Sequence, residues 1–253
     1  MVTACGATHP GRVRKINEDS LYSDIDLGVF VVADGMGGHN AGEVASKMAV
    51  EAVQGFLLRT RDGDDCTWPY GIDPNLSFNA NRLMTSMKLA NRRVFKLAEN
   101  RDEYTGMGTT VVAALIDRDR LVYAGVGDSR IYSFLDNRLE QITVDDSWVN
   151  EILSREPGMD QSALQNHPMR NVLTKVIGAR DSVEVTVRER QLRGGEVLLL
   201  CSDGLHGYLD LKTIEGILAT GASLDVLAER LVQTTLQGSA NDNVTALVVR
   251  YDS

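Results

Sequence analysis

The chain has 253 residues, of which 43% are hydrophobic and 24% are charged, as in a globular protein with a substantial core. Its 26 Lys and Arg residues against 35 Asp and Glu residues give a net charge of −9, which argues against nucleic-acid binding because phosphate backbones require a basic surface. Three scattered cysteines exclude a disulfide framework, and the sequence predicts neither a signal peptide nor a membrane span. We expect a monomeric protein of the cytoplasm.

The first half of the chain predicts a strand followed by two helices. The apolar run LGVFVVA, residues 27–33, is typical of a buried strand. Apolar residues at helical spacing predict helices over residues 41–58 and 78–100. The segment between these helices, residues 61–76, is rich in Gly, Pro and Asp, which predicts a surface loop.

The second half predicts mainly strands, with two further helices near its end. The runs TTVVAALI, RLVYAGV and RIYSFL are separated by short turns, which favours an antiparallel meander. Residues 145–180 are polar with helical patches. VEVTVRE, GGEVLLLC and NVTALVVRY predict further strands, and helices are predicted near 210–219 and 223–237.

The order of these elements indicates the fold class. Short turns join most of the strands, and the helices occur in pairs instead of alternating with single strands. This pattern predicts an α+β fold with antiparallel sheets, because alternating βαβ units would give a parallel sheet. We predict a single domain over residues 1–253.

Four aspartates lie at the ends of apolar strands. They are Asp34, Asp128, Asp203 and Asp242. A single aspartate at a strand end is usually a turn residue; four of them are harder to explain in this way, and the sequence alone leaves open whether they converge on one site. Carboxylates gathered at one place repel each other unless cations offset their charge, and oxygen ligands alone select hard ions such as Mg²⁺ or Mn²⁺. A glycine after such an acid, Gly35, would let its own carbonyl turn toward the cation.

Seven segments, taken together and in order, resemble the metal-dependent serine/threonine protein phosphatases, the PPM or type 2C family, in their short bacterial form. The segments are VRKINEDS, VVADGMGGHNAGEVAS, GMGTTVVAALI, YAGVGDSRIY, HPMRNVLTKVIG, VLLLCSDGL and NDNVTALVV. The resemblance covers almost the whole chain. It implies a four-layer α-β-β-α sandwich, in which two antiparallel sheets are flanked by helix pairs, and a flap beside the active site at about residues 145–180.

The resemblance also implies roles for the acids. Asp34 would bridge two Mn²⁺ or Mg²⁺ ions, and the Gly35 carbonyl would bind one of them. Asp203 and Asp242 would complete the coordination of the other ion. Asp128 with Asp203 would bind a third ion more weakly.

Further roles follow from the same resemblance. Glu18 and Asp19 would hold metal-bound waters, and Arg14 would bind the substrate phosphate, for which a guanidinium fork is suited. Animal members have a histidine as a general acid two residues after the bridging aspartate, where this chain has Met36. His39 could replace it, and a metal-bound water is the alternative.

The implied reaction is hydrolysis of phosphoserine and phosphothreonine by a water shared between two ions, with no covalent phospho-enzyme. The substrates would be phosphorylated proteins, including a cognate Ser/Thr kinase, with no nucleic-acid or membrane partner. Two alternatives are kept: a catalytically silent module that binds phosphoproteins, and a phosphomonoesterase for small molecules.

Overall fold

The computed structural model describes residues 1–38, 41–63, 67–156, 164, 167–238 and 240–253. Its strands form two antiparallel sheets. The first sheet has the order β1 (Val2–His9), β11 (Val244–Tyr251), β10 (Glu196–Cys201), β7 (Arg130–Leu135) and β8 (Arg138–Gln141). The second has the order β2 (Asp19–Asp24), β3 (Val29–Met36), β5 (Val111–Asp117), β6 (Arg120–Val126) and β9 (Val187–Gln191), and the short β4 (Gly108–Thr109) pairs with β3.

Helices cover the outer faces of both sheets. On the second sheet lie α1 (Ala41–Arg59) and α2 (Phe78–Asn100), and on the first lie α5 (Leu211–Leu218) and α6 (Leu224–Gln237). Two shorter helices, α3 (Trp148–Arg155) and α4 (Asp203–His206), follow β8 and β10. The predicted four-layer α-β-β-α sandwich is thereby confirmed. Within the described ranges, no helix is both long and apolar enough to cross a membrane.

Successive side chains of a strand point to opposite faces of its sheet. In each sheet one face packs against the helices and the other against the opposite sheet. In β3, Val29 and Val31 pack against α1 and α2, whereas Phe30 and Val32 fill the space between the sheets. In β10 the same alternation sends Leu199 toward the helices of the other side and its neighbours toward the inter-sheet layer. Both sheets are therefore buried on both faces, which explains the unbroken apolar runs in the sequence.

The predicted meander of three strands is wrong. β5 and β6 pair in the second sheet, but β7 pairs with β10 in the first sheet. The chain changes sheets at Gly127, whose φ of +99° disfavours any residue with a Cβ. A Cβ on Gly127 would also lie 2.6 Å from the Cγ2 atom of Thr110. Apolar alternation is the same in both sheets, so the sequence pattern did not reveal the change.

Three strands were not predicted, and all three lie at sheet edges. They are β1, β2 and β8. A fourth edge strand, β9, begins at Val187 instead of Val183. Edge strands bury less apolar surface and carry more polar residues, which weakens the sequence signal. The predicted helices match closely, with α1 and α2 spanning Ala41–Arg59 and Phe78–Asn100.

The loop between α1 and α2 packs on the helices where it is described. The Trp68 ring lies edge-on between Phe56 and Phe78, with ring centroids 6.1 Å and 5.8 Å away. The Tyr70 hydroxyl donates a hydrogen bond to the Lys88 carbonyl at 3.2 Å. This part of the loop therefore packs against α1 and α2.

Candidate metal centre

The predicted acids come together at one end of the sandwich. Asp19 and Asp34 are directly paired across β2 and β3. In the other sheet, Asp203 follows β10 and Asp242 precedes β11, and in this pair Cys201, the last residue of β10, lies opposite Ala246 near the start of β11. A cavity of about 1010 Å³ is bordered by Asp203 and Asp242 together with Asp128. The fold therefore brings acids from both sheets to a common site.

Asp34 and Asp203 form the centre of this cluster. Burial is the main cause that raises the pKa of both groups, and each of the two carboxyl groups also affects the pKa of the other. The neighbouring charge of Asp19 raises the pKa of Asp34 further. Carboxylates that lie close together in a buried site favour their protonated forms, whereas a bound cation would favour their ionised forms.

Asp19 is held in place by two hydroxyl groups. Its Oδ2 atom accepts hydrogen bonds from Ser202 Oγ at 2.7 Å and Thr245 Oγ1 at 2.6 Å. Its other oxygen, Oδ1, is buried without a hydrogen-bond partner among the described residues. Burial raises the pKa of Asp19 to about 7, against the effect of the two hydroxyl donors. The second oxygen is thus available to a water or cation in the site.

Glu18 also has a buried carboxylate oxygen, Oε1, without a partner in the described part of the chain. Gly35 and Gly42 make room for this carboxylate and its backbone. A Cβ on Gly35 would lie 2.0 Å from the Gly42 carbonyl oxygen, and one on Gly42 would lie 2.3 Å from Glu18 Oε1. The glycines near Asp34 are therefore required by close packing beside the acids, which is a reason the sequence analysis did not give.

Arg14 lies at the rim of the cluster. Its Nη2 atom is 3.0 Å from Asp242 Oδ2, and half of its side chain remains exposed. The Asp242 carboxylate raises the pKa of this guanidinium, so Arg14 stays charged. Asn243 fixes the rim segment: its Nδ2 donates to the Ile16 carbonyl at 2.9 Å, and its Oδ1 accepts from the Glu18 amide at 2.8 Å.

Asp128 lies beside this centre. Burial, followed by the charges of Asp203 and Asp145, raises the pKa of Asp128 to about 7. The His206 Nε2 atom is 2.9 Å from the Asp128 carbonyl oxygen. Asp145 is held by Arg130 through two guanidinium nitrogens, the shorter contact being 2.7 Å. The backbone around Asp128 is therefore tied both to α4 and to the first residues after β8.

The donor set fits a hard divalent ion. It consists of carboxylate oxygens, two of which are buried without a partner among the described residues. Within the same residues, no three Asp, Glu, His or Cys side chains are preformed around a single point as a metal shell. Of these acids, Asp242 is already paired with Arg14. Oxygen-rich acids whose charges are not offset are suited to Mg²⁺ or Mn²⁺.

The structure brings most of the predicted site residues together, and their individual roles stay predictions. Asp34, Asp203, Asp242, Asp19 and Glu18 form the cluster. Arg14 and Asp128 border it, and Gly35 lies within it. His39, the predicted alternative general acid, lies outside the described residues, as does part of the predicted flap.

The residues that position the acids were not predicted from the sequence. Ser202 and Thr245 hold Asp19, Asn243 holds the Glu18 segment, and His206 contacts the Asp128 backbone. Each lies within three residues of Asp203 or Asp242 in the sequence. Their position in the same motifs was the available signal, but only the fold shows which acid each one contacts.

Comparison with known proteins identifies the family. The family model described as Protein phosphatase 2C matches residues 5–245. The serine/threonine phosphatase stp of Listeria welshimeri serovar 6b is 34% identical over 250 residues, which cover 96% of this chain and 93% of that protein.

Solved structures are similar over the whole chain. The Mycobacterium tuberculosis serine/threonine phosphatase PstP/Ppp superposes with a TM-score of 0.84 at 33% identity, covering 100% of this chain and 99% of that one. The catalytic domain of the phosphatase PstP in complex with two manganese ions has a TM-score of 0.81 at 31% identity, with coverages of 100% and 99%. The chain belongs to the protein phosphatase 2C family and is a serine/threonine protein phosphatase.

Proposed function

We propose that this phosphatase hydrolyses phosphoserine and phosphothreonine in proteins with the help of two divalent ions, and that it opposes a Ser/Thr kinase. The observation that carries the proposal is the convergence of acids from both sheets on one cavity, with two buried carboxylate oxygens left without partners among the described residues. The presence of two manganese ions in a structure of similar fold supports the same proposal.

The residues that would hold the ions are those predicted from the sequence. Asp34 would contact both ions, with the Gly35 carbonyl on one and Asp203 and Asp242 on the other, and Asp128 would join Asp203 at a third. Bound there, Mn²⁺ or Mg²⁺ would neutralise the acids and make a water more acidic at neutral pH.

The chain's own residues contribute positioning and charge. Arg14, half exposed at the rim and kept charged by Asp242, can donate two parallel hydrogen bonds to phosphate oxygens. The free Oδ1 of Asp19 and Oε1 of Glu18 can accept hydrogen bonds from waters in the site, which orients those waters. Ser202 and Thr245 prevent the Asp19 carboxylate from turning away.

The test is hydrolysis of a phosphothreonine peptide and of para-nitrophenyl phosphate by protein stripped with EDTA, with and without added Mn²⁺ or Mg²⁺. We expect both substrates to be hydrolysed only with metal. Hydrolysis of the small ester alone would favour a small-molecule phosphomonoesterase. Absence of hydrolysis of both, with metal binding retained, would favour a silent phosphoprotein-binding module.

A further inference from the structure

The space between the two sheets opens at one edge into a cavity lined by arginines. This edge is formed by β8 and β9, the last strands of the two sheets. The cavity has a volume of about 650 Å³, and its arginines are Arg138, Arg188, Arg190 and Arg193. A concentration of arginines is unusual in a protein with a net charge of −9.

Part of this positive charge is already neutralised. Arg190 pairs with Glu196, whose side chain is only 1% exposed and also accepts a hydrogen bond from Ser133 Oγ at 2.6 Å. Arg193 pairs with Asp136 at 3.2 Å, and both of these side chains are about 70% exposed to solvent. These two pairs hold the cavity wall without covering it.

The remaining charge is free for a partner. Arg138 and Arg188 are exposed, and neither has an acidic partner within ion-pair distance in the described part of the chain. Glu140, on the same edge, is the remaining acid of the lining. The Nε atom of Arg190 is buried without a hydrogen-bond partner among the described residues. Of these groups, Arg138 and Arg188 are the exposed, unpaired donors that suit carboxylates.

A row of adjoining cavities leads from the arginine cavity toward the metal centre. It shares Val144 and Arg188 with a cavity of about 210 Å³, which in turn shares Lys175 with one of about 600 Å³ beside α3. That cavity shares Ser147 with the cavity of the acid cluster. Together these adjoining cavities form a groove toward the metal centre, and its middle part is itself lined by acids, among them Glu151 and Glu184.

The length of the groove follows from β6. Arg188 is paired with Tyr123, and Asp128 lies five residues further along the chain. At about 3.3 Å per residue, Tyr123 and Asp128 are at most roughly 17 Å apart, because the chain turns at Gly127. An extended peptide covers that distance with about five residues. A segment with its phosphorylated residue at the metal centre would reach the arginines with side chains about five to seven positions away.

We propose that this groove docks an acidic segment of the phosphoprotein substrate, whose Asp and Glu side chains contact Arg138 and Arg188. The inference rests on the proposed phosphatase function and adds a basis for substrate choice. Charges exposed in this way contribute modestly and are screened by salt, so the expected effect is on KM and not on kcat.

The test compares phosphothreonine peptides that are identical except for three residues about six positions from the phosphothreonine. These residues are Glu in one peptide and Gln in the other, with separate pairs for the N-terminal and C-terminal sides. For the wild-type enzyme with Mn²⁺, we expect KM for one Glu peptide to be about fivefold lower than for its Gln counterpart, at equal kcat. At about 1 M salt, where the Debye length is about 3 Å, this difference should disappear.

The double variant Arg138→Glu with Arg188→Glu should abolish the preference, and the milder Arg138→Gln with Arg188→Gln should reduce it. The matched control is Arg92→Glu with Arg93→Glu, the same charge change at two exposed positions of α2, which should keep the preference. Turnover of para-nitrophenyl phosphate reports whether each variant is folded.

Equal KM values for the Glu and Gln peptides in the wild type would overturn the docking inference alone. So would a preference that survives in the folded double variant. A wild-type enzyme that hydrolyses no phosphopeptide but is active on para-nitrophenyl phosphate would overturn the proposed function and, with it, this inference.

Discussion

Asp19 and Asp34 lie directly opposite each other on β2 and β3, so two carboxyl groups share one short stretch of the sheet. Like charges at such positions destabilise a sheet. In the metal-free protein the pKa of Asp34 is raised well above its ordinary value of 3.8 by burial first and by the Asp19 charge next. The pair is unfavourable without a cation, which is expected of metal-binding residues.

The pH dependence of stability follows from the raised pKa of Asp19, about 7 against an ordinary value of 3.8. Between these values the folded state binds more protons than the unfolded state, so the stability contributed by this group falls as pH rises from about 4 to about 7. We expect the Tm of metal-free protein to decrease over this range and the gain in Tm on adding Mn²⁺ to be larger at about pH 8 than at about pH 5. Asp19→Asn should flatten the dependence of the metal-free Tm on pH. If the slope of Tm against pH is the same in this variant, the raised pKa of Asp19 is not its cause.

Asp34→Asn should abolish turnover while keeping the fold. One neutral amide cannot hold two divalent ions, so we expect activity to fall by roughly 100-fold or more and the Mn²⁺-induced rise in Tm to shrink. Loss of a buried charge beside Asp19 and Asp203 should leave the metal-free Tm equal or higher. Asp26→Asn, at an exposed position before β3, is the control. Turnover close to that of the wild type at saturating Mn²⁺ would contradict the two-metal assignment.

Arg14→Ala should raise KM for a phosphopeptide by about tenfold without weakening Mn²⁺ binding. The guanidinium neutralises Asp242 in the free protein, so its loss leaves that carboxylate freer to bind an ion. Arg14→Lys keeps the positive charge but loses the two parallel donors of the guanidinium, so its KM should lie between those of the wild type and of Arg14→Ala. The exposed Arg12 provides the control Arg12→Ala. An unchanged KM would assign Arg14 to a solvated basic patch.

Asp128→Ala should preserve the fold and a tightly bound pair of ions, yet lose most turnover on phosphoproteins. Burial and the charges of Asp203 and Asp145 disfavour the Asp128 carboxylate, so its removal should not lower the metal-free Tm. Ion stoichiometry by calorimetry, measured beside phosphopeptide kinetics, checks this expectation. Wild-type kinetics with a lowered Tm would show that Asp128 serves only the turn between β6 and β7.

Chelation should stop the reaction, whereas thiol alkylation should not. Cys201 is fully buried, and burial raises the pKa of its thiol to about 12, so it is a poor nucleophile. We expect EDTA to abolish hydrolysis, Mn²⁺ to restore it, and an alkylating reagent to leave kcat unchanged in the folded enzyme. Activity that survives exhaustive chelation would contradict metal-assisted hydrolysis.

The sequence by itself determined the central strands, the long helices and which acids lie at the ends of the strands. Runs such as VVAD and LLLCSD combine burial on both faces with a terminal acid, which is a strong local signal. The bounds of α2, Phe78–Asn100, were predicted correctly because its apolar positions recur at helical spacing over many turns. Seven motifs in order predicted the family, which the matching relatives confirm.

Only the tertiary structure decided the edge strands, the sheet to which β7 belongs and the contacts between distant residues. The edge strands β1, β2 and β8 bury too little surface for a clear pattern, and β7 joins the other sheet by a turn at Gly127 that leaves the alternation unchanged. The contacts of Asp19 depend on pairings between residues far apart in the chain. The same is true of the meeting of Arg138 and Arg188 at one edge. Local propensity carries no information about such pairings, because they form only when both sheets and their helices pack together.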